Sequence, residues 1–505
     1  MKLPANCKSC APPPHRASRD RRSFLKTCAA TVGAGLAGHR FAASVWAQPS
    51  GSNGDVRVAI IGLGRKGALH LRELATLPGV RVAALCDVDP KALARGIDTL
   101  NGPPASVFAT TDARQLLARA DIDVIVIATS NHWHALLTIL ACQAGKDVYV
   151  EKPVCHTVWE GEKMVEACVK YKRIVQAGTQ ARSDPGVAEA VDTIRQGQLG
   201  RIKWMHALCY RLRESIGRKS PWYPDWLNYD LYCGPAPMTP LERNELHYDW
   251  HWNWNTGGGD LANIGVHQLD IARWFANNPV CPPRVSTFGG RFAVDDAGVT
   301  PNTALAVYAY PEFPILFEIR GRPTKPGAKA MDQLRGIREG VIVQCEQGYF
   351  AGHIGGAIYD NEGKRIQTIK GDGGRGHMTN FIAAVRSRRA AELAAPLQTG
   401  RDSSVCCLLG NLSYRLGASA GVAEVRQQLA EFPMAQEVLH NIETHLATHS
   451  VDLQRTPLTL GPWLELDRGT ADIVGVAGAE PAVLERARFL RKGIHRPPYV
   501  IPEQV

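Results

Sequence analysis

An α/β fold is what this sequence predicts, from the placement of its β-branched runs and the glycine and acidic residues at their ends. Val56–Ile61 is rich in β-branched residues, and Gly62-Leu63-Gly64-Arg65-Lys66-Gly67 comes directly after it. A second run, Val80–Cys86, ends at Asp87, twenty residues beyond Gly67. Two more runs, residues 123–128 and 147–150, alternate with helical stretches, which is the pattern of a parallel sheet.

Each part of the glycine segment has a task. Gly62 allows a tight turn, Gly64 lets backbone approach a pyrophosphate, and Gly67 permits close packing of helix on strand. Leu63, Arg65 and Lys66 fill the turn, and the helix expected over residues 68–76 aims its N-terminal amides at the phosphates. A carboxylate at Asp87 accepts hydrogen bonds from ribose hydroxyls and repels a 2′-phosphate, so NAD is expected over NADP. Ligands of open α/β sheets bind at the carboxyl ends of strands. Thr129, Asn131 and His134 come after the third run and Glu151-Lys152-Pro153 after the fourth, so both are expected at the cofactor.

The first 47 residues read as an export leader: a basic start, Arg21-Arg22-Ser23-Phe24-Leu25-Lys26, an apolar stretch over 27–38, and Val45-Trp46-Ala47 as a cleavage site. A twin-arginine leader implies the corresponding translocase as partner and the periplasm as destination. The leader holds eight Lys or Arg against one Asp, +7 of the net +10, so the apparent basicity is mostly targeting and gives no support for nucleic-acid binding. Three of thirteen cysteines lie in the leader; the other ten lack C-x-x-C spacing and read as buried thiols. Nucleotide cofactors are made in the cytoplasm, so an exported dehydrogenase is expected to keep its cofactor bound and regenerate it in place.

Further motifs extend the pattern: Gly178-Thr179-Gln180-Ala181-Arg182, then Gly257-Gly258-Gly259-Asp260 running on to His267 and Asp270, then Gly289-Gly290-Arg291-Phe292 and Thr300-Pro301-Asn302-Thr303. With the glycine fingerprint, the 128–134 peptide and Glu151-Lys152-Pro153, these resemble the Gfo/Idh/MocA oxidoreductases from about residue 55 to 417. That resemblance implies a Rossmann domain (54–177) and a C-terminal α/β domain (178–417). The open, mostly antiparallel sheet of the latter covers the nicotinamide on one face and often pairs subunits with the other, so a dimer or tetramer is expected. It also adds Arg182 to the cofactor residues and assigns catalysis to Lys152, His267 and Asn263. Residues 418–505 carry no recognisable motif; part reads as helical, and the stretch from Pro497-Pro498 as an extended tail.

Asn263, His267 and Asp270 stand at i, i+4 and i+7, so one helix would present all three on one face. The family often has aspartate at the first of these positions. Asparagine can orient an imidazole but cannot stabilise its cation, so His267 is expected to be a weak base. Lys152, at a strand end beside a cationic nicotinamide, is expected to have its pKa lowered from about 10.4 towards neutrality. The expected step is oxidation of a secondary alcohol, with His267 or Lys152 accepting the hydroxyl proton. Aromatic segments over 222–229 and 247–254, interleaved with Asn, Asp and His, suit a sugar, glycoside or polyol. His247 and His251 share a zinc-compatible spacing without a third ligand, so no metal is expected. Alternatives are a redox-neutral NAD-dependent glycoside hydrolase or lyase working through a transient keto-sugar, and a silent binding protein.

Overall fold

The computed structural model describes residues 54–100 and 107–505. The expected leader, with Arg21-Arg22 and the expected cleavage site, lies outside them. No helix among the described residues is long and apolar enough to cross a membrane.

The first sheet is wholly parallel, in the order β3-β2-β1-β4-β5-β6, with β1 Val56–Ile61, β2 Val80–Cys86, β3 Phe108–Thr110, β4 Val124–Ile127, β5 Asp147–Val150 and β6 Val175–Ala177. Helices cover both of its faces, so β4 and β5 are buried at every position, as unbroken apolar runs require. The order turns back between β1 and β4, which opens a crevice at the carboxyl ends of the strands.

The second sheet has twelve strands, antiparallel except where β7 (Ile202–Tyr210) lies parallel to β10 (Pro314–Arg320). Around this pair lie β8 Arg284–Gly290, β9 Thr303–Ala309, β11 Glu339–Cys345, β12 Tyr349–Gly352, β13 Gly355–Tyr359 and β14 Arg365–Lys370. Alternation sends Ile315, Phe317 and Ile319 towards the helix Gly265–Phe275, while Leu316 faces the other way.

The chain after residue 417 is part of this sheet. Strands β15 Ala418–Ala420, β16 Leu458–Leu460, β17 Leu464–Leu466 and β18 Ile473–Val476 extend its β8 edge. Helices Val422–Gln428 and Pro433–Thr448 lay Val425, Leu429, Leu439 and Ile442 on Phe288, Leu305, Val307 and Leu316. The face expected to stay open for another subunit is therefore occupied over β8–β10 by the chain's own helices. The last residues do not trail away: Tyr499, Ile501 and Val505 are buried. All ten cysteines among the described residues are free, nine of them buried.

Candidate active site

The glycine turn behaves as the spacing requires. Gly62 has φ +89, and a Cβ there would stand 2.6 Å from the Ala128 carbonyl oxygen. A Cβ on Gly67 would meet the Gly62 carbonyl oxygen at 1.8 Å, which is the close packing of helix on turn. Gly64 differs: it is exposed, and its Cβ would meet nothing within 4 Å. The helix Arg65–Leu74 begins there without a side-chain cap, leaving its first amides for an anion. It starts three residues earlier than expected, so Arg65 and Lys66 lie in its first turn.

Asp87 accepts the Leu63 amide at 2.6 Å and the Asp89 amide at 2.9 Å. Each oxygen keeps a second lone pair, as a ribose diol needs. Burial raises its pKa. An open cradle at Gly64, an uncapped helix start and this carboxylate fit NAD. Thr129 is half-buried, its hydroxyl donating to the Ser130 carbonyl at 3.1 Å, and Asn131 is buried at the start of the next turn.

Two residues expected at the cofactor make firm bonds within the protein. His134 places its ring nitrogens 2.7 Å from the Pro153 carbonyl and 3.0 Å from the Thr129 carbonyl, tying the loops after β4 and β5 together. Arg182 donates to both Asp270 carboxylate oxygens at 2.8 and 2.9 Å and lies over the Trp274 ring. That buried pair also removes Asp270 from the site, where Ser403 bonds it as well.

Glu151, expected at the cofactor, is a buried carboxylate. Its side chain takes His70 at 2.8 Å and Gln180 at 3.0 Å, with the Lys66 ammonium at 3.7 Å. Burial alone would raise its pKa, but the Lys66 charge and the His70 contact outweigh it and hold the group ionised, well below the usual carboxylate range. His70 and Gln180 carried no role in the sequence; an inward histidine one turn past Gly67 was the available signal.

Lys152 comes next, with a cis peptide to Pro153. Its ammonium donates to the Asn263 carbonyl at 2.7 Å and to Asn263 Oδ1 at 2.9 Å. Burial lowers its pKa to about 8, against the pull of Glu151. The expected single helix is broken: Gly259–Asn263 ends, and Gly265–Phe275 begins after Ile264. Asn263 therefore holds Lys152 and makes no hydrogen bond to His267, a correction to the expected pairing. Its amide nitrogen lies 3.5 Å from Asp260, whose buried carboxylate pairs with Arg213. Arg213 in turn donates to the Tyr248 hydroxyl at 3.1 Å. Nothing in the local sequence marked Arg213, because its partner is 47 residues away.

His267 is half-buried and its ring bonds to no described residue. Burial and the Lys152 charge bring its pKa to about 3. His251 keeps only its Nε2 without a described partner: Nδ1 lies 2.5 Å from the Tyr248 carbonyl, and burial, with the Lys152 charge, again gives about 3. His251 is stacked on Trp250 and flanked by Tyr248, which adopts φ +64, an uncommon conformation for a bulky residue. His247 is elsewhere, bonded to Asp89 at 2.8 Å. Among the described residues no cluster of three or more His, Cys, Asp or Glu side chains could hold a metal ion.

Residues 56–179 match the model of the oxidoreductase family Gfo/Idh/MocA, NAD-binding Rossmann fold, and residues 238–312 match the Gfo/Idh/MocA C-terminal domain. A glycosyl hydrolase family 109 protein of Shewanella baltica (strain OS195) is 30% identical over 230 residues, 41% of this chain and 50% of its own length. A protein of the same name from Shewanella putrefaciens (strain CN-32 / ATCC BAA-453) is 29% identical over 231 residues, with the same coverage. The chain spans about half the length of these curated relatives. In fold, it is similar to the WlbA dehydrogenase of Bordetella pertussis in complex with NADH and UDP-GlcNAcA (TM-score 0.53, 17% identity, 72% of this chain and 97% of that one). It is also similar to levoglucosan dehydrogenase in complex with NADH and levoglucosan (TM-score 0.52, 18% identity, 70% and 96%).

Proposed function

We propose that this protein is an exported, periplasmic oxidoreductase acting on a secondary hydroxyl of a sugar, glycoside or polyol, with NAD held tightly between turnovers. The observation that carries the reading is Lys152: a lysine with pKa about 8, held by a neutral amide at the carboxyl end of β5, beside two histidines that each keep a ring nitrogen without a described partner. Bound NAD supplies the hydride acceptor, with the phosphates at Gly64 and the ribose at Asp87.

The pKa values separate the two candidate bases. With pKa values near 3, His267 and His251 are neutral at any physiological pH and bind a proton too weakly to act as the base. Lys152 exchanges protons near neutrality, so it accepts the hydroxyl proton, and Asn263 fixes where its Nζ points. The two imidazoles orient substrate hydroxyls. Arg213, held by Asp260, positions Tyr248 on the same wall.

A second reading rests on the two relatives named glycosyl hydrolase family 109 proteins: a redox-neutral hydrolase or lyase using the same first step. The deciding experiment gives the purified protein, without added cofactor, one sugar and one glycoside while reduced nicotinamide is followed by absorbance. Lasting reduction that only a second carbonyl compound reverses supports the oxidoreductase. Aglycone release without lasting reduction replaces it with the hydrolase, and denatured protein that yields no nucleotide removes the bound-cofactor reading.

A further inference from the structure

The aromatic segment over 222–247 spans the nucleotide crevice. At one side, His247 Nε2 lies 2.8 Å from Asp89, two residues past the ribose carboxylate Asp87, and Val88 packs with Trp222, Leu227 and Leu246. At the other, His132 Nε2 lies 3.1 Å from the Tyr232 carbonyl, and the Trp133 indole donates to the Leu231 carbonyl at 3.1 Å. These anchors stand at the carboxyl ends of β2 and β4. Since β1 lies between those strands, the segment passes over the end of β1, where the glycine turn sits. Gly64, in that turn, is exposed, and a Cβ there would meet nothing within 4 Å, which leaves room for a ligand.

The C-terminal tail bonds to this segment. Arg496 donates to Asp230 Oδ1 at 2.6 Å and to the Asp230 carbonyl at 3.0 Å, and its own amide donates to the Pro235 carbonyl at 2.8 Å. The Tyr499 hydroxyl donates to Asp230 Oδ2 at 2.6 Å, and its ring meets Trp133 edge-on at 5.4 Å. The tail is itself fastened to the first domain, by His495 to the buried Glu160 at 2.8 Å and by Lys170 to the carbonyl of Val505.

We propose that residues 222–247 and the tail from His495 form a two-layer latch over the adenosine half of the dinucleotide site, so that nucleotide leaves only when the latch opens. It deepens the bound-cofactor reading above by naming the residues that retain the nucleotide. Asp230 is the pin, because both Arg496 and Tyr499 of the tail bond to it. Nucleotide release then involves a motion of the tail, and substrate exchange at Lys152 does not.

The test loads full-length protein with NADH and follows its release into excess NAD by fluorescence, beside melting temperature. Asp230→Ala and Arg496→Ala are expected to release NADH at least about tenfold faster, the scale of one lost charge-assisted hydrogen bond. Tyr499→Phe keeps the ring on Trp133 and is expected to give a smaller acceleration; it decides the matter if Asp230→Ala does not fold. Glu431→Gln, which breaks the exposed Arg284 pair at 2.6 Å, is expected to match wild type. Wild-type release rates in folded Asp230→Ala, Arg496→Ala and Tyr499→Phe overturn the latch. If wild type purifies empty, the resident-cofactor reading fails, and the release rates of added NADH still decide the latch either way.

Discussion

Strand β5 is flanked by two lysines that share a chemistry and differ in consequence. Lys146, just before it, donates to the Arg119 carbonyl at 2.6 Å and the Ile122 carbonyl at 2.8 Å. Lys152, just after it, donates to the Asn263 carbonyl and side chain. Burial lowers the pKa of both. At the Lys146 end the charges are matched: Arg57 with Asp123, and Arg388 with Asp147. At the Lys152 end, the acceptor comes from the other domain, and His251 and His267, which feel its charge, each have a ring nitrogen without a described partner. A buried lysine alone is therefore no sign of catalysis. Its position at the carboxyl end, beside hydrogen-bonding groups left for a ligand, is the sign.

The largest expected effect separates these two residues. Lys152→Met is expected to lower kcat by about 10²- to 10⁴-fold, the contribution of a positioned general base, with the fold retained. Lys146→Met is expected to leave kcat unchanged while costing about 1–3 kcal/mol of stability, because two buried carbonyls lose their donor. Denaturant melts beside steady-state kinetics check both, and equal kinetic losses would erase the distinction between the two ends.

The glycines give the next sharpest contrast. Gly64→Ala adds a methyl to open space, so the protein is expected to fold but to bind NAD roughly a hundredfold more weakly, from about 1–3 kcal/mol of overpacking against the phosphates. Gly67→Ala drives a methyl into the Gly62 carbonyl and is expected to prevent stable folding. Calorimetric titration with NAD and circular dichroism read the two effects separately.

A smaller effect comes from pH. The base must be neutral Lys152, so kcat/KM for alcohol oxidation is expected to rise with pH, tenfold per unit, and level off above about 8. Asn263→Asp places a carboxylate on the ammonium, which favours the charged form and moves the midpoint up by about one unit. At pH 7 that is roughly a tenfold loss. An unmoved midpoint would separate Lys152 from the rate profile. The smallest effect belongs to exposed pairs such as Arg201 with Glu346, where Glu346→Gln is expected to change stability by less than about 1 kcal/mol in chemical melts.

Legibility differs between the halves for the same reason. The glycine turn, Asp87 and Glu151-Lys152-Pro153 could be read because each lies at a strand end whose apolar run is visible, although the partners of Glu151 and Lys152, His70 and Asn263, are distant in the chain. The helix break at Ile264 could not, since Asn263, His267 and Asp270 keep a helical spacing whether or not the backbone continues. Arg182 looked like a ligand residue until its partner 88 positions away was known. His251 and Tyr248 were legible as an aromatic surface but not as the wall beside Lys152.

The sequence by itself determined the parallel sheet and the nucleotide turn, because periodicity and short-range spacing specify them, and it left His267 and Lys152 as alternative proton acceptors. Only the tertiary structure decided that Asn263 serves Lys152, that Arg182 bonds Asp270 and His134 bridges two loops, and that strands within residues 418–476 extend the second sheet. Those outcomes depend on pairs of side chains far apart in the chain, and their energies arise only when burial removes water from both.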